Sequence, residues 1–494
     1  MRPNILLIIT DHQAFYGHDR PGEFDYRWPC FEKFRAAGVT FDRAYSVSPI
    51  CTPARSSMAT GLYPSRHGLI RNTDGVGNRS DFASGQQLYS HHLTTAGYRN
   101  AFVGKWHCGH QRLPVDYGIE GWSLPDYGKV YMSDVYQQYA EERGFGPARA
   151  RIEHSVDRPE YEGTTQTLRH DSAWHFMNGT GVLEGPPEAH EEQFVAHLAS
   201  EKLRELAGGD QPWSLVASFW GPHQAYYPSE PFASMFDPAS IPEYPTFNDD
   251  LAGRPLRHLL AKHHHHAGAM RWTDWSTWQQ ILARAYGQGL QTDAAIGSVL
   301  DTLDQTGQAD DTLVIWCADH GDALASHGGL WDKASTMAEE VIRVPMALRW
   351  PKHLAAGTST DRLVSNMDVT ATMLDAAGLD VPDDMDSRSM LTRTQPTTDP
   401  TTDPETLFLE HHGHGEDILQ RVAIAGPYKY VAALYDADEL YHLDTDPYEQ
   451  HNLINDPAHA DVRNRLRQEL IDFIRARQDW RAMRLATSLE HGFA

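Results

Sequence analysis

Asn4-Ile-Leu-Leu-Ile-Ile-Thr-Asp-His12 is apolar at every position from Ile5 to Ile9. A strand covered on both faces loses the apolar–polar alternation of a half-exposed strand, because neither face meets water. The run therefore predicts the interior of a parallel sheet and an α/β fold. Trp213-Ser-Leu-Val-Ala-Ser-Phe219 and Thr312-Leu-Val-Ile-Trp-Cys317 read the same way, and Pro345-Met-Ala-Leu-Arg-Trp350 reads as the next strand. In open α/β sheets ligands gather beyond the carboxyl ends of the strands. The first run delivers Asp11-His12 there, and the third delivers Ala318-Asp-His-Gly-Asp322. Two Asp-His strand ends, far apart in sequence, are what a metal site assembled by a parallel sheet needs. Taken alone, Asp11 reads equally well as the cap of a following helix.

Composition narrows the class. A chain of 494 residues exceeds the size at which one core stops growing. We expect a large domain over 1–390 and a smaller one over 391–494. The formal net charge of −25 argues against a nucleic-acid or anionic-membrane partner. It leaves an anionic substrate open, because a local cationic pocket can sit inside an acidic protein. Cys30, Cys51, Cys108 and Cys317 are too few for a disulfide framework. Ile5–Ile9 is too short for a signal-peptide core and no small-residue cleavage site follows. No apolar run approaches a membrane span. The chain reads as cytoplasmic.

Cys51-Thr-Pro-Ala-Arg55 continues to Thr60-Gly61. An isolated Cys beside an Arg is most often a half-buried structural residue; it can also be a nucleophile of lowered pKa. The complete pattern Cys-x-Pro-x-Arg-x-x-x-x-Thr-Gly resembles the signature of the type I sulfatases of the alkaline phosphatase superfamily. Gly97-Tyr-Arg-Asn-Ala-Phe-Val-Gly-Lys-Trp-His107 resembles their second signature, with Asn100 where Thr is usual. Trp220-Gly-Pro-His223, Ala318–Asp322, His327-Gly-Gly-Leu-Trp-Asp-Lys333, Glu339–Pro345 and Asp444–Leu453 match further segments. The likeness runs from Asn4 to about Leu453 and is weakest over 110–200 and 235–280.

The resemblance implies an alkaline-phosphatase-like α/β sandwich. A large mixed, mostly parallel sheet would be flanked by helices, with a smaller C-terminal α+β subdomain built on an antiparallel sheet. It implies that Cys51 is oxidised after translation to Cα-formylglycine by a transient maturation enzyme. The hydrated aldehyde offers one hydroxyl to attack sulfur and a second whose proton loss collapses the adduct. Arg55 and Lys105 would hold its oxygens. Lys333 and His223 would grip the sulfate, with His223 protonating the leaving oxygen. His107 would take the proton that releases sulfate. Asp11, His12, Cys51, Asp319 and His320 would hold one divalent metal. His12 stands where the family has an acidic residue, or Gln in its phosphonate hydrolase relatives. The resemblance names Ca²⁺; an oxygen shell also suits Mg²⁺, and imidazoles shift the balance towards Mn²⁺ or Zn²⁺. The substrate would be a small or oligosaccharide sulfate ester, ranked with sulfated carbohydrate above aryl or alkyl sulfate. A phosphonate monoester hydrolase or phosphodiesterase of the same superfamily is the competing reading. A binding protein that merely keeps the fold is disfavoured by the joint retention of these side chains. A homo-oligomer is left open.

Further expectations are local. Helices are expected from Ser56, over Ile281–Asp304, and near the end with Val462, Leu466, Leu470 and Ile474 on one face. Short strands are expected at 406–410, 421–425, 428–434 and 439–443. Residues 110–190 read as surface excursions with little regular structure. The His263–His266 run reads as an exposed loop, and Trp272, Trp275 and Trp278 as packing residues. His411, His412 and His414 read as a surface loop that could reach the pocket.

Overall fold

The computed structural model describes residues 2–15, 24, 26–72, 78–168, 178–264, 272–333, 336–394, 406–414 and 418–491. Its centre is an eight-stranded sheet. In spatial order the strands are Thr358–Thr360, Val39–Phe41, Met346–Arg349, Thr312–Ala318, Asn4–Asp11, Trp213–Pro222, Arg99–Lys105 and Glu120–Leu124. Met346–Arg349 runs antiparallel to both of its neighbours; every other pairing is parallel.

The apolar runs behave as two-faced strands. Leu6 and Ile8 join Leu215, Ala217, Val314 and Trp316 in one core, with helices Glu191–Ala207 and Trp275–Gln305. Ile5, Leu7 and Ile9 join Val216, Leu313 and Ile315 in the other, with Met58, Met373 and Leu374. Successive side chains point to opposite faces. Because each face meets helices, every position had to be apolar.

Register sets the height of the strand ends. Thr10 pairs with Ala318, so Asp11 and Asp319 emerge side by side. Ser218 pairs with both Ile9 and Gly104, which brings Lys105 to the same edge. Gly104 has φ 112°, and a Cβ there would stand 1.8 Å from the Ser218 carbonyl oxygen, so only glycine fits this approach.

The C-terminal strands Leu407–His411, Gln420–Ala425, Tyr428–Ala433 and Glu439–His442 form an antiparallel meander, as expected. Helix Ala460–Ala476 packs on it through Leu466, Leu470 and Ile474. A further helix, Met483–His491, follows without having been anticipated. The boundary expected at 390/391 adjoins 395–405, which lie outside the described residues.

Three expectations are corrected. Residues 110–190 are not structure-poor. They supply the edge strand Glu120–Leu124, helix Asp134–Arg143 and a three-stranded sheet of Arg149–Ser155, Thr165–Thr167 and Gly179–Glu184. Thr165–Thr167 is wholly polar and Gly179–Glu184 opens with two glycines around Thr180, so neither shows the alternation of a strand. The motif helix starts at Cys51, five residues before Ser56, because Pro53 is tolerated in a first turn. The long helix starts at Trp275, six residues before Ile281, with Asp274 accepting from the Thr277 amide at 2.9 Å. Trp272 and Trp278 are packing residues as read: both are buried and, with Trp331, form one ring cluster. Trp275 packs against the same core. Helix Leu256–His264 takes in His263, whose side chain, like residues 265 and 266, lies outside the described set.

Candidate active site

Helix Cys51–Thr60 gives each part of the motif a place. All ten of its residues are buried. Cys51 is the first of them, at the end where unpaired amides and the helix dipole favour negative charge. Arg55 lies one turn further on the same face. Gly61 closes the helix at φ 70°, donating to Ser57 O at 2.8 Å; a Cβ there would meet Met385 and Ser387 at 2.6 Å.

Around Cys51 the strand ends converge. Its Sγ lies 3.1 Å from His320 Nε2 and 3.7 Å from Asp11 Oδ1. His320 Nδ1 donates to the Gly321 carbonyl at 2.8 Å, which leaves Nε2 as the lone-pair nitrogen. Lys105 Nζ pairs with Asp11 Oδ2, both side chains fully buried. Arg55 Nε donates to Asp319 Oδ2 at 2.8 Å, and its Nη1 donates to Lys105 O at 2.9 Å and Ser218 Oγ at 2.8 Å. Asp319 Oδ1 accepts the amides of His12 (3.3 Å) and His320 (2.8 Å).

His12 stands at φ 64°. Its Nδ1 is 3.0 Å from Asp322 Oδ2, while its buried Nε2 has no hydrogen-bond partner. One ligand atom from each of Asp11, His12, Cys51 and His320 falls within 4.8 Å of the others. This donor set fits a divalent cation: a hard carboxylate oxygen and two imidazole nitrogens, one of them the orphaned, buried Nε2 of His12. Asp319 sits just behind, its Oδ1 3.9 Å from His320 Nε2.

The second half of the site lies beside the first. The His223 ring packs on His12 at 3.9 Å between centroids. His223 Nδ1 faces its neighbour's carbonyl, Gln224 O, and the Tyr127 hydroxyl at 3.3 Å. Lys105 Nζ lies 4.0 Å above the Tyr127 ring, and the His107 ring meets that ring edge-on at 5.8 Å. Lys333 Nζ donates to Asp332 Oδ1 at 2.7 Å, and that oxygen is 3.4 Å from His12 Nε2. The candidate catalytic and metal-ligating residues thus lie together in one buried cluster.

Protonation follows from this packing. Burial opposes ionisation of Asp11, but Lys105 and Arg55 hold its carboxyl well below the usual range. Burial lowers the pKa of His12, His107 and His223, and neighbouring cationic groups lower it further. These three rings are neutral at pH 7. Burial likewise opposes the charge of His320, yet Asp319 and Cys51 bring it up to about 9, so a cation held by its Nε2 would displace a proton. Burial also works against Lys333, but Asp332 raises it above the ordinary lysine value.

Several functional neighbours escaped the sequence reading. Asp322 was in view as the last residue of Ala318–Asp322, and Asp332 as the neighbour of Lys333, yet nothing local assigns either a partner. Tyr127 lies in the stretch taken as surface excursion. Asn366 Nδ2 donates to Asp319 O at 2.7 Å and its Oδ1 accepts from Val47 N, tying the metal-side loop to the lead into Cys51. His411 and His412 are buried, not a surface loop; His412 faces Glu410 at 3.4 Å and Arg421 at 3.3 Å. His414 is near enough for its charge to lower the Asp332 carboxyl, against burial and together with Lys333.

Comparison with known proteins agrees with this geometry. The Sulfatase family profile matches residues 3–379, and that of the N-sulphoglucosamine sulphohydrolase C-terminal region matches 326–476. Choline-sulfatase of Rhizobium meliloti is 28% identical over 92% of this chain and 83% of its own. BT4656, solved in complex with its substrate D-glucosamine-2-N,6-O-disulfate, superposes with TM-score 0.73 at 20% identity, over 97% of this chain and 99% of that one. The phosphonate monoester hydrolase SpPMH from Silicibacter pomeroyi superposes with TM-score 0.73 at 21% identity, over 98% and 97%. With its strand-end acids, its motif helix and a profile match over most of its length, the chain belongs to the sulfatase family of the alkaline phosphatase superfamily and is a sulfuric ester hydrolase.

Proposed function

We propose that the chain hydrolyses a sulfate monoester of a carbohydrate or other small alcohol, with formylglycine at position 51. The observation that carries this is the setting of Cys51. It heads a buried helix, 3.1 Å from His320 and within a shell built by Arg55, Lys105 and Asp11. A hydrated aldehyde there supplies a nucleophilic hydroxyl and a second hydroxyl whose proton loss regenerates the carbonyl. Asp11, His12, His320 and position 51 would hold a divalent cation, with Asp319 close behind. The cation supplies Lewis acidity and lowers the pKa of a bound hydroxyl.

The protein's own groups divide the remaining work. The helix N-terminus, Arg55 and Lys105 stabilise negative charge at position 51. Lys333 binds a sulfuryl oxygen and remains charged, because its raised pKa makes it a poor acid. His223 is the better acid. Its Nδ1 proton is held by the Gln224 carbonyl, so in the neutral ring Nε2 lacks a proton. It takes one up when an anionic ester enters, and its lowered pKa then favours giving that proton to the leaving oxygen. His107, neutral with Nδ1 unpartnered and buried, is a free base for the second hydroxyl.

Charge counting favours the less charged ester. The cation, Arg55, Lys105 and Lys333 face Asp11, Asp319, Asp322, Asp332 and one ionised hydroxyl, about zero in all at ordinary ionisation. A sulfate monoester carries one negative charge, and a phosphate monoester up to two. A cavity of about 90 Å³ opens beside Gln224, lined by Tyr127, Tyr131, Tyr227, Glu191 and Gln288. Aromatic faces with amides and a carboxylate suit a sugar ring. The two imidazoles favour Mn²⁺ or Zn²⁺ more than the all-oxygen sites typical of Ca²⁺ do, although the family likeness keeps Ca²⁺ first. A cytoplasmic setting is the reading we keep, supported by Cys30, Cys108 and Cys317, none of which is in a disulfide. Maturation would need the transient visit of a formylglycine-generating enzyme. The division into 1–390 and 391–494 remains our working architecture.

The second reading, a phosphonate monoester or phosphodiester hydrolase, is favoured by His12, which is not the acidic residue of a typical sulfatase pair. Both classes act on monoanions, so rates must separate them. The test compares kcat/KM for sulfate, phosphate and phosphonate esters of one leaving group, using protein whose position 51 is shown by mass to be an aldehyde. Sulfate should win. A faster phosphonate monoester or phosphodiester would hand the assignment to the second reading. Full activity with the unmodified thiol would remove formylglycine from the mechanism.

A further inference from the structure

We propose that Asp322, held by Tyr226, is the positioning residue that makes His12 a metal ligand in this chain. The inference rests on the reading of Asp11, His12, position 51 and His320 as the cation site. His12 stands where the family likeness expects a carboxylate, so the site lacks one negative charge among its direct ligands. The structure places that charge one residue further out. Asp322 Oδ2 is 3.0 Å from His12 Nδ1, and both side chains are buried. A carboxylate in this position accepts the Nδ1 proton, so the lone pair is on Nε2. That is the atom left without a hydrogen-bond partner, with Asp332 Oδ1 at 3.4 Å and Asp11 Oδ1 at 4.0 Å.

Asp322 is itself immobilised. Tyr226 OH donates to its Oδ2 at 2.9 Å and the Leu324 amide donates to its Oδ1 at 3.0 Å. The Tyr226 ring stacks against Trp331 with 16° between planes. A hydrogen-bonded carboxylate behind a ligating imidazole fixes the ring's tautomer and orientation and strengthens it as a donor. Asp322 comes from the same strand end as His320, and Tyr226 from the turn after His223. The arrangement therefore links the metal half of the pocket to the half assigned to the leaving group.

The experiment measures Mn²⁺ and Ca²⁺ affinity by competition with a chelating dye, using aldehyde-bearing protein. It compares wild type, Asp322→Asn, Tyr226→Phe, His12→Ala and the double variants with His12→Ala. Asp322→Asn should bind Mn²⁺ about 10–100-fold more weakly. Tyr226→Phe should weaken it less, by roughly twofold to tenfold, the scale of one lost hydrogen bond. In the His12→Ala background both effects should vanish, because the coupling runs through the imidazole. Unchanged affinity in His12→Ala overturns the proposal, as does an Asp322→Asn effect that persists without His12. If Asp322→Asn fails to fold by circular dichroism, Tyr226→Phe decides, and affinity equal to wild type overturns the proposal. Sulfate-ester turnover by the wild type is recorded alongside. It can fail only the sulfatase reading, and the affinity cycle only this one.

Discussion

Arg55 Nε donates to Asp319 Oδ2 at 2.8 Å, with both side chains buried. A buried carboxylate that loses its cation is left uncompensated, which typically costs about 3–5 kcal/mol. Arg55→Ala should therefore unfold at markedly lower urea than wild type as well as lose turnover. Arg55→Lys should restore little, because one ammonium cannot reach Asp319, Lys105 O and Ser218 Oγ together. A lysine variant with wild-type stability and rate would show the guanidinium fork to be dispensable.

Asp11 and Asp319 emerge level because Thr10 pairs with Ala318. Elemental analysis should find one divalent metal per chain. Asp11→Asn and His320→Ala should each lose it together with activity, and chelation should inactivate the wild type reversibly. Two metals per chain, or full activity without metal, would contradict a mononuclear site.

His223 should act through the leaving group. Its ring is neutral in the free site, so acid catalysis needs a proton taken up with the ester. For sulfate esters of poor leaving alcohols, kcat/KM should already be falling with rising pH below about 6.5, because kcat/KM reports the free enzyme, in which the pKa of His223 is lowered. For activated phenyl sulfates it should change far less. His223→Ala should slow the alcohol esters by about 10²–10⁴-fold, the usual worth of a placed acid, and spare the phenyl esters. Equal losses on both ester types would reassign the proton donor.

His190 offers a pH test away from the metal. Burial pushes its pKa down to about 3, while its Nδ1 caps helix Glu191–Ala207 by accepting the Glu192 amide at 3.2 Å. The unfolded ring protonates near 6.5 and the folded one does not. Below pH 6.5 the unfolded state thus binds the extra proton, and stability falls as pH falls towards 3. The slope from this residue is at most about 1.4 kcal/mol per pH unit. His190→Asn, which keeps a capping oxygen, should flatten the denaturation midpoint against pH between 6.5 and 4. An unaltered slope would mean that the ring is protonated in the folded protein.

The strands, the chemistry at their ends and the spacing of the Cys51 motif were legible in the sequence, because each is written in contiguous residues. A run such as Ile5–Ile9 must be buried on both faces, whereas only the structure put Cys51, Pro53 and Arg55 on the helix expected from Ser56. The same local logic failed over 110–190, where the edge strands Thr165–Thr167 and Gly179–Glu184 are too polar or too rich in glycine to show alternation. Tertiary structure decided what depends on register and on crossovers of hundreds of residues. It set Asp11 level with Asp319, laid Tyr127 between Lys105 and His223, and placed Asp322 behind His12. No spacing encodes those meetings. They follow from how far each strand slides against its neighbour before the side chains of both cores close-pack.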